Sequence, residues 1–365
     1  MPKVLKLDKA AEDGLRDVLT TLLETGKVAG VFTLARIAQE GEVAFSLISD
    51  PELLKDAVPL FPLMPANAGK VLSQMTLEAP AAERVAVVLR PCALRALTEL
   101  IKRKQGSLDN FLFISLTCPG VYPLELAAQG AIGERIPQYW DAIKKGDIPA
   151  EVRPACASCE HFVPYNADIT VAIIGNTSMD TECEIALNTK KAEEVAEGIE
   201  GQFVEREPET EAIEALLGKR QGRKEELLDE IGGEGFDLDT VFAKCIGCRA
   251  CSKVCPICYC ELCFFDSPAN EHDASHYEAE LAKMGWAQAL PDPVFYHLVR
   301  LFHVSVSCVG CGLCADVCPT GIPLSAVVSR VNGAVQKAFD YVPGKDIDEG
   351  LPITTFVPEE FAGIE

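Results

Sequence analysis

No apolar run approaches the ~20 residues that a membrane-spanning helix needs. The opening residues (MPKVLKLDKAAEDGLRD) carry acids where an export signal would be apolar. A cytoplasmic location is therefore expected. Positive charge is also scarce, with 33 Lys and Arg against 55 Asp and Glu, a formal net charge of −22. Such a field repels nucleic acid and anionic membrane surfaces, which excludes both as expected partners. No G-x-G-x-x-G follows a strand pattern and no P-loop occurs, so no nucleotide fingerprint is present. Histidine is limited to His161, His272, His276, His297 and His303. They form no H-x-x-x-H set with acids arranged as in an enzyme, and His272 and His276 read as one solvated helix face.

Cysteine, by contrast, is abundant: 16 in 365 residues. In a chain without an export signal these read as metal ligands rather than disulfides. Length suggests two or three domains, and 48% hydrophobic content agrees with a globular protein.

Cys245, Cys248, Cys251 and Cys255, then Cys308, Cys311, Cys314 and Cys318, make two copies of C-x2-C-x2-C-x3-C, each followed by proline (Pro256, Pro319). In this bacterial ferredoxin run three close thiolates hold one 4Fe-4S cluster and the fourth reaches the other. Cys245, Cys248, Cys251 and Cys318 are thus assigned to one cluster, and Cys308, Cys311, Cys314 and Cys255 to a second. A pair of zinc sites is the bland alternative, but zinc requires neither the doubled spacing nor both prolines. Helical patterns fill the long insert, at Ala274–Met284 and Pro293–His303. The segment 245–330 resembles the α-helical ferredoxin domain of fumarate reductase iron–sulfur subunits and heterodisulfide reductase small subunits.

Upstream, residues 8–25 read as an amphipathic helix with Leu15, Val18, Leu19, Leu22 and Leu23 on one face. Val28–Ala38 and Glu42–Ile48 read as a hairpin around Gln39-Glu40-Gly41, and a proline-broken stretch covers 58–70. Val85–Leu89, a helix over Ala93–Arg103 and Phe111–Leu116 form a strand–helix–strand unit with parallel strands. Cys92 and Cys118 then lie just past two carboxyl strand ends, the edge where open α/β sheets build sites. Cys156-x2-Cys159 precedes a strand at Asp168–Ile174. Taken singly, Cys92 and Cys118 read equally as small core residues, and the C-x2-C as a redox dithiol or half a zinc site. Residues 181–240 are acidic and read as a solvated helical connector.

The order RPCALRALTEL (90–100), TCPG (117–120) and RPACASCEHFVPYNADITVAIIG (153–175) resembles the beta subunits of deazaflavin-coenzyme-reducing hydrogenases and formate dehydrogenases. The resemblance spans roughly 28–180. It implies FAD and a third 4Fe-4S cluster, held by Cys92, Cys118, Cys156 and Cys159, in a core that exchanges hydride equivalents with a soluble carrier. Two features depart from it: the dicluster segment follows the core instead of preceding it, and no residues identify a deazaflavin pocket, which leaves a nicotinamide carrier open. Physically, polar or basic groups at loop ends are the candidates for flavin contact: Asn67, Lys70, Arg90, Arg95, Asn166, Asp168 and Asn176. Cys258, Cys260 and Cys263 read as thiols surrounding the first cluster loop or as a further metal site, and Cys183 as a free thiol in an acidic stretch.

The expected architecture is an α/β domain with a mixed or parallel sheet that binds flavin (1–180), an acidic connector (181–240), a mainly α-helical two-cluster domain (241–340) and a tail (341–365). The expected function is a flavin and iron–sulfur electron-transfer subunit without acid–base catalytic residues. It would serve a hydrogenase, formate dehydrogenase or heterodisulfide-reductase-like partner. The rival reading is a flavin-free, ferredoxin-like relay or docking subunit.

Overall fold

The computed structural model describes residues 3–37, 42–205, 210–267, 273–285 and 293–352. Strand β1 (Lys3–Leu7) leads into helix α1 (Ala11–Glu24). Leu15, Val18, Leu19 and Leu22 of α1 recur at helical spacing and are all buried; burying side chains of this kind stabilises by ~1.5–3 kcal/mol each. Strands β2 (Gly30–Arg36) and β3 (Val43–Ile48) pair antiparallel as the expected hairpin, whose turn at Gln39-Glu40-Gly41 lies outside the described residues. Helix α2 (Ala68–Met75) starts at the end of the proline-broken stretch, capped by Asn67.

Then come β4 (Val85–Val88), α3 (Pro91–Lys102) and β5 (Phe111–Leu116). Strand β4 pairs parallel with both β2 and β5. The continuous apolar runs VAVV and FLFISL suit strands covered on both faces, as parallel strands require. Helices α4 (Leu124–Ala128), α5 (Ile136–Lys144) and α6 (Pro154–Ala157) precede β6 (Ile169–Val171), which is parallel to β5. The chain continues through β7 (Cys183–Leu187), α7 (Lys190–Ala196), β8 (Gln202–Glu205) and the long helix α8 (Thr210–Glu230).

All eight strands form one mixed sheet in the order β3-β2-β4-β5-β6-β7-β1-β8. A boundary at residue 180 would therefore cut the sheet, because β7 and β8 flank β1 on either side. Acidic residues conceal β7 from composition: Glu184 and Glu182 both meet Lys6 of β1, at 2.7 and 2.8 Å. Cys183 is a free thiol but a fully buried core residue on β7; its Sγ donates to the Ala11 carbonyl. Burial pushes its pKa up to about 12. Nor is 181–240 only solvated connector, since α8 buries Leu216, Arg220 and Leu227.

The remaining helices are α9 (Leu238–Phe242), α10 (Ala250–Lys253), α11 (Ala274–Met284), α12 (Pro293–Val304), α13 (Leu313–Asp316) and α14 (Leu324–Ala338). Phe242, Phe265, Tyr296, Leu301, Ile322, Leu324 and Val327 form their apolar centre. This helical unit is fastened to the sheet domain by buried polar contacts. Arg153 meets Asp316 at 2.6 Å with both side chains almost fully buried. Glu99 of α3, wholly buried, accepts from Gly344 N at 2.8 Å, from Tyr341 Oη and from Arg103. No described helix is long and apolar enough to cross a membrane.

Candidate metal centres

Twelve cysteines line three cavities. In the first are Cys245, Cys248, Cys251 and Cys318, with Tyr296 and His297 beside them. The second contains Cys255, Cys308, Cys311 and Cys314, with Arg300. Around the third stand Cys92, Cys118, Cys156 and Cys159, with Arg90, Arg220 and His161. Among the described residues no three His, Cys, Asp or Glu side chains converge on a single-ion site.

The first two cavities arise from local turns. Gly312 precedes α13 with φ +76°, and a Cβ there would come within 2.6 Å of the Ala155 Cβ. Glycine thus lets the second cysteine loop press onto α6. In the first cavity, Tyr296 Oη is 3.6 Å from Cys251 Sγ and His297 Nε2 is 3.4 Å from Cys245 Sγ. The His297 ring stacks on Phe242 with centroids 4.0 Å apart. Burial, helped by Arg300, lowers its pKa to about 4, so the ring is neutral near pH 7. Arg300 joins the first two cavities, donating to the Cys251 carbonyl at 3.2 Å while lining the second.

The third cavity is assembled by topology. Cys92 opens α3 directly after β4, and Cys118 follows β5, the parallel neighbour of β4. Cys156 lies on α6, and the segment beyond it returns to the strand ends, where the Phe162 carbonyl accepts from Cys118 N at 2.8 Å. Gly120 (φ +113°) permits this approach, since a Cβ there would meet the Cys156 Cβ at 2.9 Å. Three almost fully buried guanidiniums surround these loops. Arg90 contacts Cys118 Sγ at 3.4 Å and the Phe61 carbonyl at 2.7 Å. Arg220, stacked over Phe162, donates to the carbonyls of Cys118 (3.1 Å), Pro119 (2.8 Å) and Cys159 (3.4 Å). Arg153 immediately precedes α6. Burial raises the pKa of Cys156 to about 11 and also raises those of Cys92 and Cys159.

A four-sulfur donor set without carboxylates is the ligand chemistry of an iron–sulfur cluster. Arg153 Nε and Nη1, Arg220 Nε and Arg300 Nε are buried without partners. Buried N–H groups of a guanidinium left without an acceptor are costly unless an acceptor comes among them. The residues present therefore fit such clusters.

The seven candidate flavin contacts do not converge. Asn67 caps α2, Asn166 donates to the Gly344 carbonyl at 3.2 Å, and Asn176 accepts from Ser178 N at 2.9 Å. Asp168 accepts from Phe113 N and pairs with Lys191. Arg95 holds the Pro343 and Val309 carbonyls, and Arg90 belongs to the third cavity. Lys70 grips the carbonyls of Lys253, Cys255 and Cys258, bridging α2 to the first cysteine loop. Of the seven, Lys70 alone lines a cavity of ≈ 720 Å³, together with Cys258, Cys260, Cys263, Tyr259, Phe265 and Tyr296. The Cys258 thiol hydrogen-bonds Cys255 and holds that sulfur toward its thiolate, lowering its pKa to about 5.

Sequence reasoning gave no site role to Arg153, Arg220, Arg300, Tyr296, His161 or His297, which stand around the sulfurs. No spacing marks them; each reaches its place through tertiary packing. His276 pairs with Glu280 one turn along, an ordinary surface arrangement, and His272 lies outside the described residues.

A mixed α/β sheet domain with a cysteine-lined edge, joined to a helical domain with a doubled cysteine run, places the chain among iron–sulfur redox proteins. Residues 241–322 match the family described as 4Fe-4S dicluster domain. Residues 82–212 match the family of the C-terminal part of the coenzyme F420 hydrogenase/dehydrogenase beta subunit. The chain thus carries the beta-subunit domain that the sequence resembled, followed by a dicluster domain.

Among known proteins it is 26% identical to the F420-dependent formate dehydrogenase subunit beta of Methanocaldococcus jannaschii, over 91% of this chain and 90% of that one. It is likewise 26% identical to the F420-dependent formate dehydrogenase 1 subunit beta of Methanococcus maripaludis, with the same shares. A solved chain of the F420-reducing [NiFe] hydrogenase complex from Methanosarcina barkeri superposes with a TM-score of 0.45 at 17% identity, covering 65% of this chain and 94% of that chain.

Proposed function

We propose that this chain is the flavin and iron–sulfur electron-transfer subunit of a formate dehydrogenase-type or hydrogenase-type complex, exchanging electrons with a soluble two-electron carrier. The carrying observation is the contiguity of the three cysteine cavities: Cys311 lines both the second and the third, and Arg300 connects the second to the first. Cys245, Cys248, Cys251 and Cys318 would hold one 4Fe-4S cluster, Cys255, Cys308, Cys311 and Cys314 another, and Cys92, Cys118, Cys156 and Cys159 a third. Clusters move single electrons and a flavin handles pairs, so together they would link hydride chemistry to a one-electron path.

The protein's own part is to hold the path dry and fixed. Arg153–Asp316 and the Gly312–Ala155 contact lock the second cysteine loop against the third site. The ≈ 720 Å³ cavity beside the second site has the size of a cofactor pocket and combines aromatic walls with Lys70, Lys253 and Arg300. It is the place we assign to FAD, with a deazaflavin or nicotinamide as the carrier. A flavin-free relay is favoured by one observation, the commitment of six of the seven flavin candidates to contacts away from that cavity.

Anaerobic quantitation of iron, acid-labile sulfide and extractable flavin tests the choice. About 12 iron atoms and one FAD per chain support the proposal. About 12 without flavin leave the relay, and about 8 remove the third cluster.

A further inference from the structure

The three sites differ in the charge around them. Beside the first, the groups touching sulfur are the neutral Tyr296 hydroxyl and His297 ring, while its cations stand off the sulfurs, Arg249 in the cavity wall and Arg300 on the Cys251 carbonyl. Beside the third stand the buried guanidiniums of Arg90 and Arg220, in a chain whose net charge is −22. Arg90 is 8% exposed and Arg220 1%. Their contacts lie at the site: Arg90 reaches Cys118 Sγ and the Phe61 carbonyl, and Arg220 reaches three carbonyls of the cysteine loops. Arg220 comes from α8, which follows the sheet, so a helix outside the core has delivered a charge to the centre of the site.

We infer that Arg90 and Arg220 are charge-compensating residues that keep this deeply buried site reducible, Arg90 by a direct N–H···S contact and Arg220 through the loop carbonyls. The inference rests on the third cluster proposed above. Four thiolates there already concentrate negative charge, and each stored electron adds one more without any bond forming or breaking. Burial opposes that addition, because a low-dielectric surrounding penalises net charge. Two fixed cations favour the reduced state, and hydrogen bonds to sulfur act in the same direction. Removing either cation therefore drives the potential of this site alone downward.

The experiment is an EPR-monitored redox titration of the full, cluster-loaded chain, with iron counted on each sample. Cys156→Ser identifies which signal belongs to the third site. In Arg90→Gln the reduced-to-oxidised ratio of that signal, read at the wild-type midpoint, falls at least tenfold, a shift of about 59 mV for one electron. Arg220→Gln shifts it in the same direction by less, and Arg90→Lys restores most of the wild-type value. Should Arg90→Gln fail to load its clusters, Arg220→Gln carries the test, since Arg220 acts through carbonyls and not on a sulfur. An unchanged or raised midpoint in both Gln variants, or an equal shift of all clusters, overturns the inference while leaving three clusters in place. About 8 iron atoms in the wild type instead overturn the cluster reading itself.

Discussion

The first and third cysteine sites show two ways of bringing four sulfurs together. The first takes Cys245, Cys248 and Cys251 from one short loop and borrows Cys318 from its twin. The groups that touch its sulfurs are a tyrosine and a neutral histidine, its cations Arg249 and Arg300 stand off them, and Cys248 is exposed. The third collects Cys92, Cys118 and the Cys156–Cys159 pair, each half-buried, from separate elements and surrounds them with buried guanidiniums. A site built by a loop survives some loosening of the fold. A site built by strand order depends on the packing of the domain around it.

Cysteine substitution tests that contrast most severely. Cys156→Ser is expected to remove about 4 iron atoms of about 12 and to lower the thermal midpoint of the whole protein. Cys248→Ser, at the exposed corner, should lower iron content with a smaller thermal effect. Anaerobic iron assays paired with thermal melts decide; equal losses of stability would erase the distinction.

Next in size is Asp316→Ala, which leaves Arg153 as a buried cation without its carboxylate. A loss of about 3–5 kcal/mol is expected in anaerobic denaturant titrations. Arg153→Met combined with Asp316→Leu should recover much of it, because apolar replacement of both partners avoids the stranded charge. Gly120→Ala follows at about 1–3 kcal/mol, from a positive φ and a Cβ forced onto Cys156. It should disturb the third site while leaving spectra of the first unchanged.

His297→Phe keeps the stack on Phe242 and removes a single contact with Cys245, so a change of about 0.5–1.5 kcal/mol is expected. Lys224→Ala gives the smallest effect. It breaks a partly exposed pair with Glu160 one turn beyond Arg220 and should cost at most about 1 kcal/mol in the same titrations.

How much of this was legible in the sequence follows the same division. The doubled run could be read because its ligands are neighbours along the chain. The β4–α3–β5 unit was visible in two apolar runs around a helix, and this placed Cys92 and Cys118 at one sheet edge. The hairpin of β2 and β3 was visible as two segments around Gln39-Glu40-Gly41. Strand β7 was not, since Glu182 and Glu184 mimic a solvated segment until Lys6 of β1 is set beside them. Strand β1, five residues long, gives no periodic signal of its own. Arg90 reads in sequence as a candidate flavin contact at a strand end, whereas the structure sets it against the sulfur of Cys118. Arg220 reads in sequence as one more charge in KRQGRKEE, and only the seating of α8 makes it interior. Charges become interior through tertiary packing, which local composition does not encode.

The grip of residues 341–344 on α3 ties together two stretches that are far apart in sequence. Arg95 and Glu99 sit on the helix that begins with Pro91 and Cys92, and their partners are Pro343, Gly344 and Tyr341. During synthesis Tyr341 and Gly344 follow Glu99 by 242 and 245 residues, and until they are made Glu99 has only Lys102 and Arg103 at the end of its own helix. The full set of contacts on the helix that carries Cys92 therefore requires residues 341–344. A segment remote in sequence thus helps to fix the position of Cys92 at the sheet edge.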